Sequence, residues 1–403
     1  MSKKISLAVA STVTLIAMAA TFSITMVVST DMFNNTVSSV KAKERMYNKL
    51  SEVDRYVRAS EYFTINDDTL NDTIASGYML GISDKYARYY SAKAYTERTG
   101  LASGTLMGIG VALVKDASSG YGRIIRVYDN TPAAEAGMQV GGFITAVGET
   151  STRSLSDTAA ITSALVGEEG TVVTLKYLTP DKQEQVHELT HANYTTPTVT
   201  SRMAAGSCGY IRIDSFSTGT AADFKAAVDD LTSQGATCFV FDVRDNTGDN
   251  LNAALVSADY CVPAGLIAQS QGNDGATEDL RVSDEQEITL PMVCLVNGST
   301  AGGAELFANA LRKMGGATLV GTATAGKGVL LSDPQSFSDG SAAVITIGLL
   351  LDNEAVSWND VGLTPDVDAA LSTDEQNSYY DFTIDTDPQI NKALNAAMNL
   401  TGQ

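Results

Sequence analysis

The chain has 403 residues, 44% of them hydrophobic and 18% charged, which excludes a disordered chain and fits two or three domains. Its 27 Lys and Arg face 47 Asp and Glu, for a formal charge of −20, so neither a nucleic-acid surface nor docking on anionic headgroups is expected. Two His leave little material for a His-rich metal site or a Ser-His-Asp triad.

From the N-terminus, Ile5 to Val28 is a run of 24 residues without a charge. As a helix it would extend about 36 Å, enough for a hydrocarbon core of about 30 Å. Lys3 and Lys4 precede it and Asp31 is the first acid after it. The positive-inside rule then predicts a single-pass membrane segment over residues 5–28, with the bulk of the chain extracytoplasmic. A cleaved signal peptide is the alternative, but its apolar region is usually about 7–15 residues. Residues 1–30 are therefore read as an anchor.

Residues 31–98 are expected to be helical, with Val53, Tyr56 and Val57, then Leu70, Ile74 and Met79, at helical spacing. A turn-rich stretch, Gly81 to Tyr90, closes that region. Residues 99–196 change character: Gly is frequent and short β-branched runs appear (IGVALV, RIIRVY, FITAV, VVTLKYL, QVHELTH). Thr131 to Gly137 reads as a turn and a short helix stopped by Gly. The string His187-Glu188-Leu189-Thr190-His191 matches a zinc-protease motif, which requires a helix. It follows VVTLKYL and a Thr179-Pro180-Asp181 turn, so a returning hairpin strand is predicted instead, and no metal is expected.

From about 197 to 403 strands and helices alternate. GYIRI, CFVFDV and MVCLV read as strands, and Ala221–Leu231, Leu251–Tyr260 and Ala304–Met314 as helices. Such alternation implies parallel strands with crossover helices. Cys208, Cys238, Cys261 and Cys294 allow three disulfide pairings in an oxidising exterior, or serve as buried thiols.

Several segments have chemistry of their own. Asp242 to Gly248 follows an apolar strand, where ligands of α/β sheets bind. Gly248 there is either a plain turn residue or a place where a backbone N–H approaches a substrate oxygen. Lys327 lies in the Gly-framed loop Gly321 to Gly328; desolvation can turn such a Lys into a base.

Together these segments resemble the carboxyl-terminal processing peptidases (tail-specific proteases). The blocks are MGIGVAL, NTPAAEAGMQVGGFITAVG, GYIRIDSF, FDVRDNTGDN, LVNGSTAGGAELFANAL, GTATAGKGV, VGLTPD and DPQINKAL. The resemblance implies an α/β peptidase core over 197–403, a small β-rich PDZ domain over 99–196, and the N-terminal transmembrane helix. It makes peptide or protein C-termini the partners and implies no cofactor. Met107, Gly108, Ile109 and Gly110 take the position of the loop that captures a terminal carboxylate. Lys327 takes the general-base position of a serine–lysine pair and Gly248 the oxyanion position.

Three departures stand out. The family's reactive Ser lies three residues before the Glu and 25 before the Lys; counting from Glu305 and from Lys327 gives Gly302 both times. A second family Gly is replaced by Asp249, and the Gln that orients the Lys by Leu331. The resemblance therefore implies a serine-type peptidase fold with lost or weak activity. The alternatives are an active enzyme with its nucleophile shifted to Ser299 or Thr300, and a peptide-binding scaffold acting through the PDZ domain.

Overall fold

The structure is a computed structural model that describes residues 7–102 and 105–401. The chain divides into two compact units, one through Ile74 and one from Ala75.

In the first unit a single helix runs from Leu7 to Ser60, 54 residues. The helix passes residue 30 without a break, since no Gly or Pro interrupts residues 7–60. Among the described residues no helix is long and apolar enough to cross a membrane. Residues 1–6 and the side chains of 7–15, which belong to the expected span, lie outside the described part.

The second unit carries two domains. In the first, six strands form an antiparallel sheet: five in the order Val111–Lys115, Gly122–Val127, Phe143–Val147, Val172–Leu178 and Glu184–Thr190, and the short Thr150–Ser151 paired with Phe143–Val147. The core is Ile109, Ile124, Ile144, Ile161, Leu175 and neighbours. Thr131 caps the short helix Pro132–Glu135 by accepting from the Ala134 N–H (3.3 Å), as the turn-then-helix pattern predicts. The zinc-like string is strand: His187 lies within Glu184–Thr190 and pairs with Leu175, while His191 follows it and contacts Thr171 Oγ1 at 2.9 Å.

The larger domain is built on a six-stranded sheet in the order Val199–Ala204, Cys208–Ile213, Cys238–Asp242, Met292–Val296, Thr318–Gly321 and Val367–Asp368. All pairings after the first are parallel. Both faces are covered. Phe239 and Phe241 face the helices Thr220–Ser233, Leu251–Asp259 and Gly303–Lys313, and Cys238 and Val240 face Pro388–Thr401. Burial on both sides is why CFVFD reads as an uninterrupted apolar run. A second, antiparallel sheet (Thr277–Ser283, Gly265–Gly272, Thr346–Asp352, Val329–Leu331) is an addition to the expected parallel layer. The four cysteines are buried and form no disulfide.

Candidate active site

The candidate residues gather where three parallel strands end. Cys238–Asp242 leads to Asp245–Gly248, Met292–Val296 leads to the turn before helix Gly303–Lys313, and Thr318–Gly321 leads into the lysine loop. This is the carboxyl edge at which open α/β sheets bind ligands.

A buried ion cluster fixes the first strand's exit. Arg244 donates to Asp242 through Nε (2.9 Å) and Nη2 (2.6 Å), and through Nη1 to Asp387 (2.9 Å) and Gln389 (2.8 Å). Burial raises the pKa of Asp242, but the charges of Arg244 and Arg212 outweigh it and hold the carboxyl well below the usual range.

At the residue that both sequence counts reach, the backbone of Gly302 has φ 57° and ψ −121°, a combination that L side chains rarely adopt. A Cβ placed there would stand 3.7 Å from Lys327 Cδ and 3.1 Å from the Thr247 carbonyl oxygen. The structure thus brings Lys327 to Gly302, the pair that the two sequence counts single out.

What joins them is Glu305, a fully buried carboxylate. Its Oε2 accepts from the N–H of Gly302 (3.0 Å) and of Lys327 (2.8 Å). Its Oε1 accepts from Thr324 Oγ1 (2.5 Å) and the Gly326 N–H (2.8 Å). One side chain therefore ties the strand-to-helix turn to the lysine loop. The loop is backed by a second segment: Asp360 donates its N–H to Gly326 O (2.9 Å), and Leu363 donates to Thr324 Oγ1 (2.7 Å). Gly326 has φ +74°, and a Cβ on it would lie 2.9 Å from the Gly362 nitrogen.

Lys327 is half-buried and its pKa is lowered. Burial is the main cause; Arg98 and Arg88 push the same way, and Asp249 and Glu305 oppose them. Its Nζ lies 5.9 Å from the centre of the Tyr86 ring, whose hydroxyl donates to Gly326 O (3.3 Å). Tyr86, Arg88 and Arg98 were not picked out from the sequence. The only signal was the turn-rich stretch at 81–90, which Asp84 pins by accepting from Thr346 N (2.9 Å) and Oγ1 (3.0 Å).

The remaining candidates are placed as follows. Gly248 has φ +66° and packs so tightly on the turn that a Cβ would lie 2.2 Å from the Gly303 nitrogen. Its N–H donates to Asn246 Oδ1 (2.9 Å) and its carbonyl accepts from Gly303 N (3.2 Å). Asp249 is exposed and accepts from Thr247 Oγ1 at 2.9 Å. Leu331 ends the strand Val329–Leu331. Thr300 is fully buried, with its hydroxyl donating to the Val243 carbonyl (2.9 Å) and accepting from Asn297 N (3.0 Å). Ser299 is exposed, its N–H bonded to Asn297 Oδ1 (3.1 Å).

In the smaller domain Met107 and Gly108 end the strand Thr105–Gly108, with Gly108 opposite Ala192. Ile109 is 2% exposed. The carbonyls of Ile109 and Gly110 accept from Ala133 (2.9 Å) and Tyr128 (3.0 Å). The strand that follows, Val111–Lys115, lies at the edge of its sheet, beside helix Thr158–Ala164. Among the described residues no cluster of metal-ligating side chains is present.

The second unit thus pairs an α/β domain, in which the lysine loop is tied to a strand-to-helix turn, with a β-rich domain whose edge strand lies beside a helix. Residues 207–369 match peptidase family S41 and residues 123–178 match the PDZ domain. The carboxy-terminal processing protease CtpA of Bacillus subtilis (strain 168) is 27% identical over 347 residues, covering 85% of this chain and 73% of that protein. The chloroplastic carboxyl-terminal-processing peptidase 1 of Arabidopsis thaliana is 30% identical over 307 residues, covering 73% of this chain and 61% of that protein. Among solved structures, the photosystem II D1 C-terminal processing protease superposes with a TM-score of 0.50 at 24% identity, over 82% of this chain and 90% of the other. A structure from Bacteroides fragilis NCTC 9343 named for family S41 gives 0.58 at 20% identity, over 85% and 92%. The last two likenesses bear on fold alone. The chain belongs to the carboxyl-terminal processing peptidase family, with a PDZ domain.

Proposed function

We propose that this protein is a membrane-tethered, extracytoplasmic member of the family that engages protein C-termini through its PDZ domain and has lost serine–lysine hydrolysis. The observation that carries the reading is the meeting of Lys327 with Gly302. The lysine faces a residue without a side-chain hydroxyl, so it has no nucleophile to deprotonate there. Two further features support it. The Gly248 N–H is already donated to Asn246 Oδ1, so it is not free to stabilise an oxyanion. The exposed carboxylate of Asp249 lies near enough to raise the Lys327 pKa, and opposes negative charge developing beside it.

A shifted nucleophile is disfavoured by the same geometry. The Thr300 hydroxyl is buried and spent on Val243 and Asn297. The membrane tether rests on the uncharged run 5–28 behind Lys3 and Lys4. Protease added to intact spheroplasts should remove the folded domains; full protection would refute the topology.

The test of lost catalysis is labelling by a serine-reactive fluorophosphonate together with hydrolysis of unstructured substrates with apolar C-termini. Wild type should show neither, and Gly302→Ser should gain Lys327-dependent labelling. Wild-type labelling that maps to Ser299 or Thr300, or cleavage abolished by Lys327→Ala, would overturn the reading.

A further inference from the structure

We infer that Cys208 and Cys238 are a disulfide site, closed by thiol–disulfide exchange before the last helix covers it. The inference is independent of hydrolysis. Only the occupancy of the site in the cell rests on the extracytoplasmic placement proposed above.

The sheet itself selects this pair. Four cysteines allow three complete pairings. Successive residues of a strand face opposite sides, so Cys208 with Tyr210, and Cys238 with Val240, face the helix Pro388–Thr401. Cys294 faces the other side with Met292 and Val296, and Cys261 is packed in that same layer. Two of the three pairings would therefore have to pass through the sheet. On the far side, the Cys261 thiol is turned away to donate to the Ser257 carbonyl (3.3 Å). Cys208 and Cys238 instead stand directly opposite each other on adjacent parallel strands. Such strands lie about 4.7–4.9 Å apart, inside the Cα range of about 4.4–6.8 Å that a disulfide bridges.

The two thiols divide the chemistry between them. The bond between them draws the pKa of Cys238 down and pushes that of Cys208 up. Cys238 is therefore the attacking thiolate. It attacks one sulfur of a disulfide oxidant, whose S–S bond breaks and releases one thiol. Cys208 then attacks Cys238 Sγ and displaces the second. The cysteines give up two electrons and two protons, and the oxidant, reduced to two thiols, takes up both pairs.

The order of events follows from what covers the sulfurs. Both cysteines are fully buried in the finished fold. Ala393 and Ala397 of the last helix pack in their cluster, and Met398 presses on the turn before Cys208, where its Sδ would stand 2.2 Å from a Cβ on Gly206. That helix is at the far end of the chain. Cys208 and Cys238 bracket a single strand–helix–strand unit, Cys208–Ile213, Thr220–Ser233 and Cys238–Asp242. The unit pairs its own strands and meets an oxidant while the cover is still absent.

The test uses the full chain in detergent, reduced, unfolded in urea and diluted into a mixture of reduced and oxidised glutathione. The fraction that regains the helical circular dichroism of the untreated protein is labelled with N-ethylmaleimide in urea, and its unreduced peptides are mapped. Cys208 and Cys238 should be lost from the labelled pool and recovered as one linked peptide, with Cys261 and Cys294 still labelled. The linked form should unfold at higher urea than the reduced form, because the bridge restricts a loop of about 30 residues in the unfolded chain. Cys238→Ala should remove both the linked peptide and that shift. Retention of all four thiols, or a linked peptide containing Cys261 or Cys294, overturns the inference. A second arm quenches intact cells in acid before labelling. Linkage there supports occupancy in the cell; free thiols there, with linkage after refolding, leave the site standing and overturn the extracytoplasmic placement.

Discussion

The backbone N–H of Lys327 donates to Glu305 Oε2 at 2.8 Å, and the same oxygen accepts from Gly302 at 3.0 Å. The spacing between the lysine loop and the turn is thus set by one buried carboxylate. Its four donors have no water to fall back on, because Glu305 is fully buried.

Glu305→Gln should therefore be severe. The amide keeps the volume but turns one acceptor into a donor facing N–H groups. Leaving such groups unpaired costs about 1–3 kcal/mol each, so a total loss of about 3 kcal/mol is expected in urea unfolding. Lys327 should also methylate faster as its loop loosens. A change below about 0.5 kcal/mol, the range of ordinary surface substitutions, would contradict the role assigned to this carboxylate.

Residue 302 should tolerate side chains poorly for a reason independent of chemistry. At φ 57° and ψ −121° a non-glycine residue is strained, at about 1–3 kcal/mol. Its Cβ would also press the Thr247 carbonyl at 3.1 Å. Gly302→Ala and Gly302→Ser should destabilise by similar amounts in thermal unfolding. If Ser were well tolerated and Ala were not, a hydrogen bond from the new hydroxyl would have to supply the difference.

Lys327 should lose its proton at lower pH than the exposed lysines. Burial depresses its pKa below the ordinary 10.5, with Arg98 and Arg88 adding to the effect and Asp249 opposing it. The depressed value means that the charged form is the one destabilised by folding, so this penalty is present below the folded-state pKa and disappears as pH rises through it. A pH series of reductive methylation should place the Lys327 midpoint below that of Lys225. Asp249→Asn should move it lower still, and an upward move would contradict the attraction between the two.

Acid should act through Asp242. Its folded-state pKa lies below its unfolded value, which is near 4. The stability it contributes is complete above that unfolded value and declines as pH falls towards the folded one. Asp242→Asn should cost about 3 kcal/mol at neutral pH, since it removes the closer of the two carboxylates that pair with the buried Arg244 and leaves only Asp387. It should also flatten the acid limb of the stability curve, read by urea unfolding from neutral pH to pH 3. An unchanged acid limb would mean that other carboxyls govern it.

Much of the larger domain was legible. CFVFDV and MVCLV are strands because both their faces are covered, and Ala304–Met314 is helix within one residue at each end. The site's two landmarks were legible as well, since Glu305 and Lys327 are each placed by a fixed count from the same turn. The antiparallel sheet was not. The strand Gly265–Gly272 buries only Ile267, Ala268 and Ser270, so its sequence shows no period of two. Tyr86, Arg88 and Arg98 were illegible as neighbours of Lys327, because more than 200 residues separate them and no local pattern encodes the approach. The single helix Leu7–Ser60 ignores the compositional change at residue 30, since hydrogen bonding along a helix depends on breakers rather than on polarity.

The turn at Gly302 keeps its shape through the Glu305 carboxylate, the Gly248 carbonyl and the lysine loop, none of which belongs to residue 302. Kinship in this family is thus recorded in the scaffold, and under the reading proposed above the reaction would hang on one atom that the scaffold does not need. A comparison that scores ancestry will group this chain with proteases whether or not it cuts. Assigning activity to such chains calls for inspection of one codon, and Gly and Ser codons can differ by a single base.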